Sequence, residues 1–278
     1  MCIRDRQRLA EGDPTFTIRR EQQSGELVIT GMSNLHLEVM LSKLKRRYDV
    51  SVNVREPSIP YRETITKVGH SQYRHKKQTG GAGQFAEVHM RIEPLEEEEF
   101  EFVNEVFGGA ISSGFMPAIE KGVRGVMKSG VIAGYPIEKV KVAVVDGKEH
   151  PVDSKAVAFE IAGREAFKLA FRDAGPVLLE PIMNVRITVP EANMGDVLGD
   201  LNTRRARVQG METEHGRSVV TAQVPLAEIQ RYTTDLRSIT GGRGVFSMEL
   251  SHYEVVPPHV AEEIVAARQR ELNKEEAG

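Results

Sequence analysis

The chain has 278 residues, of which 28% are charged and 40% hydrophobic, and its formal net charge is −3. This composition is ordinary for a globular protein of two or three domains, and it excludes attraction to nucleic acid through overall positive charge. The single cysteine excludes an internal disulfide framework and favours a reducing cytosol. No run of 18 or more apolar residues occurs, so no membrane-spanning helix is expected.

The first part of the chain, to about residue 55, is predicted to be an incomplete α+β sandwich. Residues 15–20 and 26–30 are predicted to form a hairpin, and residues 34–48 a helix with one apolar face. The alternation over residues 50–54 predicts a further strand. A complete ferredoxin-like unit needs another strand and helix before residue 15, so we expect the chain to be a piece of a longer protein.

The most informative segment leads into a glycine-rich turn. Arg74, His75, Lys76 and Lys77 precede the turn, and no acidic residue occurs between positions 67 and 84. The turn consists of Gln78, Thr79, Gly80, Gly81, Ala82, Gly83 and Gln84. A thin loop beside several cations allows backbone and positive charge to approach phosphates, which favours contact with an anionic polymer.

Two other interpretations of this turn are possible. The first, a plain hairpin loop that binds no ligand, is not excluded by the sequence. A dinucleotide-binding loop is disfavoured, because an alternating strand pattern rather than a helix follows Gly83. The Gly-Lys-Ser/Thr ending of a nucleoside-triphosphate loop is absent from the sequence.

A second thin loop is predicted further along the same part of the chain. A strand over residues 140–145 leads into the tight segment 146–151, which presents Lys148 and His150. A histidine at a loop tip suits contact with irregular RNA, although a plain solvent-facing hairpin is the alternative. Helices are predicted over residues 117–128 and 154–172, the second with a stripe of alanines that indicates close packing.

The last part of the chain has the βαββαβ order of a ferredoxin-like fold. The predicted strands cover residues 183–189, 208–214, 218–224 and 245–253, and the helices 191–202 and 226–239. A further amphipathic helix is predicted over residues 259–272. Arg204, Arg205, Arg207 and Arg243 cluster around these elements and are candidates for phosphate contacts, although such clusters are often only solvated.

The sequence offers little enzyme chemistry. It contains no nucleophile elbow, no paired-cysteine motif and no HExxH, so no catalytic residue and no metal site are predicted. His36 stands at the start of a predicted helix beside apolar residues, and we interpret it as structural.

Short motifs along residues 8–270 resemble the C-terminal half of translation elongation factor G. Residues 9–16 (LAEGDPTF), 31–38 (GMSNLHLE) and 60–64 (PYRET) are similar to its third domain, and residues 76–85 (KKQTGGAGQF) to its fourth. Further matches are residues 134–136, 150–154 and 176–183, and residues 195–201 and 236–244 resemble the fifth domain.

The resemblance implies an α+β chain of three modules and a C-terminal helix. Residues 8–55 would be a truncated ferredoxin-like third domain. Residues 56–176 would be a fourth domain resembling ribosomal protein S5 domain 2, and residues 177–256 a ferredoxin-like fifth domain. Residues 257–278 would be the C-terminal helix and tail.

The resemblance also implies partners. The family's fourth domain reaches the tRNA–mRNA duplex at the ribosomal decoding centre through two tip loops. They correspond to residues 78–84 and 147–153, the second with Lys148 and with His150 at the tip-histidine position. Its fifth domain docks on RNA of the large-subunit GTPase centre, where Arg204, Arg205, Arg207 and Arg243 are the candidate contacts. A cytoplasmic, monomeric protein is implied, with no membrane partner.

Neither cofactors nor catalysis are expected within the chain itself. GTP and Mg²⁺ are expected in a GTPase domain preceding residue 1, so only the parent protein would hydrolyse GTP. Ala82 and Ala86 stand where the family loop has arginine and glycine, and Ser33-Asn34 where it has Gly-Glu. These departures suggest a paralogue, leaving a ribosome-recycling or ribosome-protecting factor, and a stand-alone RNA-binding module, as alternatives to a translocase.

Overall fold

The computed structural model describes residues 12–20, 25–78, 83–214 and 216–276. It has two compact units, Met1–Pro60 and Tyr61–Gly278. Helices and sheets alternate along the chain, which confirms the predicted α+β class. Among the described residues, no helix is both long and apolar enough to cross a membrane.

The first unit is a small hairpin covered by one helix. Strands β1 (Thr17–Arg20) and β2 (Leu27–Thr30) pair antiparallel, and helix α1 covers Asn34–Tyr48. Ser33 caps α1 by accepting a hydrogen bond from the His36 backbone N–H. The His36 ring lies 3.0 Å from the Asp13 carboxylate, which agrees with the structural role predicted for this histidine.

The predicted strand over residues 50–54 is wrong. Those residues form no strand in the described part of the unit, and of the three valines only Val50 packs against the core. Glu26 instead holds the segment that follows, because its carboxylate accepts hydrogen bonds from Arg55 and from the Ser58 backbone N–H. An alternating pattern forms a strand only where a neighbouring strand offers backbone hydrogen bonds. Here the segment is held by side-chain hydrogen bonds instead.

A four-stranded sheet forms the middle of the chain. Its strands are β4 (Gly69–Lys77), β5 (Gln84–Pro94), β6 (Phe100–Asn104) and β7 (Val140–Lys148), in the order β4-β5-β7-β6. Only the β6–β7 pair is parallel. Helices α2 (Met116–Ser129) and α3 (Ala156–Asp173) cover one face. A side chain at Gly122 would collide with the Glu160 carbonyl, so the two helices approach as closely as the alanine stripe predicted.

The last sheet has the ferredoxin-like order that the sequence predicts. Strands β8 (Pro176–Pro190), β9 (Arg207–Glu214), β10 (Arg217–Pro225) and β11 (Val245–Val255) are arranged β11-β8-β10-β9, all antiparallel. Helices α4 (Met194–Thr203), α5 (Leu226–Ile229) and α6 (Tyr232–Thr240) complete the βαββαβ unit, and α7 covers Pro258–Glu276.

The predicted helix over residues 226–239 is broken into α5 and α6. The Glu228 carbonyl, which would accept from the residue 232 N–H in a continuous helix, accepts a hydrogen bond from the Arg204 guanidinium at 2.9 Å. The same guanidinium lies over the ring of Tyr232, 5.2 Å from its centroid. A side chain from another element therefore occupies the position at which the helix would continue.

Two short strands, β3 (Arg62–Ile65) and β6, were not predicted from the sequence. β3 pairs antiparallel with the first residues of β8, from Pro176 to Leu179, and so adds a fifth strand to the last sheet. Residues that the sequence assigns to the second module thus contribute to the sheet of the third. The division of the chain at residues 176 and 177 stays a prediction.

Candidate nucleic-acid interface

Two predicted loops belong to the same end of the middle sheet. The first, residues 78–83, joins β4 to β5, and the second, residues 149–155, joins β7 to α3; we call them the tip loops. The Phe85 N–H donates to the Asp153 carbonyl at 3.0 Å, and the Ser154 hydroxyl donates to the Phe85 carbonyl at 2.8 Å. The structure therefore places the second tip loop against the start of β5, beside Gly83 at the end of the first. Thr79, Gly80, Gly81 and Ala82 lie outside the described residues.

Gly83 is required by this contact. A Cβ at this position would lie 2.8 Å from the carboxylate of Asp153, closer than side-chain carbons pack. Asp153 lies within the second predicted loop and Ser154 directly after it, and both hold that loop to Phe85 at the start of β5. The sequence did not show that their partner would be the backbone of β5.

His150 is half-exposed and is held through one nitrogen of its ring. Its Nδ1 accepts weak hydrogen bonds from the backbone N–H groups of Val152 and Asp153, at 3.3 and 3.2 Å, and lies 3.6 Å from the Asp153 carboxylate. With Nδ1 as acceptor, the proton of the neutral ring is assigned to Nε2, which has no hydrogen-bond partner among the described residues. The side chain is 50% exposed. The ring thus has one N–H group available to a partner outside the chain.

Two of the four predicted cations before the first tip loop have a partner within the chain, although Arg74 is still 54% exposed. Arg74 donates to the buried Glu87 carboxylate, and the His75 ring is 2.9 Å from the Gln84 side-chain oxygen. Lys76 and Lys77 are exposed. They line a cavity of about 250 Å³ at the tip, together with Gln78, Gly83, Gln84, Phe85, His150 and Asp153. Lys148 is also exposed and stands opposite Glu87 in the β5–β7 register.

Glu87 anchors the base of the tip from the face of the sheet that the helices leave open. Its side chain is 1% exposed and accepts hydrogen bonds from Arg74, His89 and Gln72. Burial alone would raise the pKa of this carboxyl, but the hydrogen bonds from Arg74, His89 and Gln72 outweigh burial and lower the pKa to about 2.

A pH dependence of stability follows from this lowered pKa. Because the folded pKa lies below the ordinary value of 4.5, Glu87 stabilises the fold above pH 4.5, and that contribution is lost between pH 4.5 and about pH 2. We expect a loss of about 1–3 kcal/mol across this window in urea unfolding. Glu87→Gln should not show this pH-dependent loss. If the free energy of unfolding fell equally with pH in both proteins, the lowered pKa would not belong to Glu87.

The arginines of the last sheet are paired within the chain. Arg204 bonds to Asp200 and Asp235, and Arg207 to Glu254. Arg205 forms two hydrogen bonds with the buried Glu180, which raise its pKa, and contacts Glu228. Arg243 donates to the Thr240 carbonyl and to the Asn193 side chain. Their contact with RNA stays a prediction, and the structure gives each guanidinium a stabilising partner without RNA.

Arg205 is the member of this set with the largest expected effect on stability. Arg205→Ala leaves the Glu180 carboxylate, only 4% exposed, without its main partner, so the free energy of unfolding should fall by about 2–4 kcal/mol. Arg207→Ala is the matched control, since Arg207 is 67% exposed and its loss should cost less than about 1 kcal/mol. Equal changes in urea unfolding would contradict this assignment.

The described residues do not fit a nucleotide or metal site. The glycine-rich turn leads into strand β5 rather than into a helix, as the sequence predicts, so it lacks the helix start that a dinucleotide-binding loop requires after its glycines. In the part of the chain that the structure describes, no three His, Cys, Asp or Glu side chains are grouped to hold a metal ion.

Three family models match the chain in consecutive segments. "Elongation Factor G, domain III" matches residues 6–56, "Elongation factor G, domain IV" residues 57–175, and "Elongation factor G C-terminus" residues 177–264. The chain is 46% identical over 271 residues to an "Elongation factor G-like protein" of Thermotoga maritima, a match that covers 97% of this chain and 40% of the relative.

A solved structure gives the same result. A crystal structure of a Thermus thermophilus protein superposes with a TM-score of 0.83 at 44% identity, covering 96% of this chain and 40% of that one. The chain therefore spans about 40% of the length of the relatives that it matches.

Proposed function

This chain belongs to the elongation factor G family, and from that premise we propose that it is the ribosome-binding part of a translational GTPase that promotes tRNA–mRNA translocation. The observation that carries the proposal is the tip. Its second loop is hydrogen-bonded to the start of β5, and exposed Lys76 and Lys77 line the same cavity as the half-exposed His150. Exposed cations and a solvent-facing ring suit an RNA surface of irregular shape.

The proposed mechanism is mechanical. The rigid sheet and the helices behind it carry the tip as a wedge, which enters a ribosomal site as the tRNA leaves it. The His150 Nε2–H would then donate to an RNA oxygen, and the lysines would neutralise nearby phosphates. The ion pairs of Arg204, Arg205 and Arg207 would stabilise the module that docks on the large subunit. Arg243, on the loop after α6, bonds only to neutral groups among the described residues, so of these four arginines its charge would be the one available to RNA phosphates.

GTP hydrolysis enters this proposal from outside the chain. A preceding domain would hold GTP and Mg²⁺ and would control when the factor engages and leaves the ribosome. Because the described residues fit neither ligand, no step of the mechanism is assigned to them in this chain. The cytoplasm, where ribosomes work, is the proposed location, and the proposed factor acts as a monomer.

A second candidate is a recycling or ribosome-protecting paralogue. It is favoured by Ala86, Ser33 and Asn34, which depart from the family pattern. Ala86 is fully buried in the core of the middle sheet, and Ser33 caps α1. The fold thus accommodates these departures, whereas Ala82, outside the described residues, stands where the family loop carries an arginine and removes one cation from the tip.

The two candidates are separated by one pair of assays on the full-length protein. With GTP, we expect the mRNA to advance by one codon on pretranslocation ribosomes, as measured by primer-extension inhibition. Splitting of post-termination ribosomes without any movement of mRNA would instead support recycling. Failure to bind ribosomes at all would overturn both.

A further inference from the structure

Phe107 is the most exposed large hydrophobic side chain of the described residues, at 93% exposure. It lies in the segment that follows β6, outside the two tip loops. A free phenylalanine ring in water is unfavourable by itself, because burial of such a ring is worth about 1.5–3 kcal/mol. Its position in the fold therefore needs an explanation.

The segment that carries Phe107 runs along the edge of β7 toward the tip. At its start, the Glu105 N–H donates to the Val144 carbonyl at 2.9 Å. At its end, the Ser112 backbone N–H and hydroxyl both donate to the Glu149 carboxylate at 2.8 Å. Glu149 belongs to the second tip loop, so Phe107 lies on a third loop bonded to the tip.

The third loop is fixed at both ends and thin at its apex. Ile111 is buried directly against Gly147, where a side chain would collide with it. Gly108 and Gly109 follow Phe107 with φ values of +69° and +74°, a conformation that glycine adopts readily. A Cβ at either glycine would meet nothing within 4 Å, so open space surrounds the backbone beside the ring.

We propose that Phe107 stacks on an unpaired base of ribosome-bound RNA, as a third contact of the tip. The inference rests on the proposed function, since it needs the tip to face RNA. A flat ring exposed on a thin loop is what sequence-tolerant base stacking uses.

The surroundings of Phe107 favour a base over the alternatives. Glu105 is paired with Arg91, but the Glu149 carboxylate accepts only from the uncharged Ser112 groups among the described residues and repels phosphates, so the sugar–phosphate backbone is disfavoured at that end of the loop. A protein partner normally needs a continuous apolar patch of several hundred Å², whereas this loop offers one ring followed by two glycines.

The stacking contact is tested by measuring the affinity of the 278-residue chain for purified ribosomes at several salt concentrations. Phe107→Ala should weaken binding about 5- to 100-fold without changing the slope of log affinity against log salt, because stacking involves no counterion release. Phe107→Trp should restore affinity and Phe107→Leu should not, since leucine keeps the apolar bulk but lacks the flat ring. Leu169→Ala, an exposed apolar residue on α3, is the control and should bind as wild type.

The outcomes distinguish this inference from the proposed function. Equal binding by Phe107→Ala and Leu169→Ala would overturn the stacking contact while leaving ribosome binding intact. Absence of ribosome binding by the unmodified chain would overturn both. A photo-crosslinking benzoylphenylalanine at position 107 should label an RNA nucleotide, and labelling of a ribosomal protein in its place would overturn the choice of an RNA base.

Discussion

His150→Ala is expected to slow translocation by the full-length protein about 10- to 100-fold, since a hydrogen bond between a neutral donor and a charged oxygen contributes about 1.5–3 kcal/mol. Ribosome-stimulated GTP hydrolysis should stay within about twofold of wild type, because the substitution removes a contact made only at the tip. The relevant donor is the Nε2–H, which the backbone hydrogen bonds to Nδ1 leave without a partner among the described residues. Rapid-mixing measurements of mRNA movement and of phosphate release give the two rates.

The matched control is His70→Ala. His70 is an exposed histidine at the start of β4, at the end of the sheet opposite the tip. Its replacement should leave both rates unchanged. An equal loss of both rates in His150→Ala would show that the ring acts on engagement or folding and would remove it from the tip contact.

Glu63→Gln is expected to lower the free energy of unfolding by about 3 kcal/mol or more. The substitution removes buried hydrogen bonds to a charged carboxylate and places the glutamine NH₂ group against backbone N–H groups, so that donors face donors. The Glu63 side chain is fully buried, and its two oxygens accept four backbone N–H groups. Val131 and Ile132 donate to one oxygen at 2.6 and 2.9 Å, and Ala133 and Tyr135 to the other at 2.9 and 3.1 Å.

The glutamine amide matches the shape of the carboxylate but not its hydrogen bonding. Its NH₂ group would point at two N–H donors, which then lose their acceptor inside the protein. Glu101→Gln is the control, because Glu101 is 39% exposed and pairs with Lys141 at the surface, so its loss should cost less than about 1 kcal/mol. Similar changes in urea unfolding would show that Glu63 does not hold the residue 131–135 loop.

Helices and strands with long periodic patterns could be predicted from the sequence. Those whose formation or end depends on a contact with a distant part of the chain could not. The helices α1, α2 and α3 and the βαββαβ order follow from apolar spacing over about ten or more residues. β3 has only four residues, including Arg62 and the buried Glu63, and forms because β8 offers it an edge. The break between α5 and α6 depends on Arg204, a residue that lies well before them in the chain.

The same limit applies to the candidate site. The glycine-rich turn and the loop with His150 could be predicted, since glycines, cations and a loop-tip histidine are local signals. The sequence did not show that Arg74 bonds to Glu87, or that Arg205 bonds to Glu180, because each carboxylate lies on another strand. Counting cations along the chain therefore overestimated the positive charge available to RNA.

The most direct test of the central claim is to find which RNA the tip touches. Val152 is exposed on the second tip loop, and within this chain Cys2→Ser with Val152→Cys leaves one cysteine for an iron chelate; every cysteine of the full-length protein outside this chain is replaced by serine as well. Hydroxyl radicals generated from this chelate on the ribosome-bound full-length protein should cleave RNA strands of the decoding centre. Cleavage confined to large-subunit RNA, or none above an unlabelled control, would contradict the claim that these loops reach the tRNA–mRNA site.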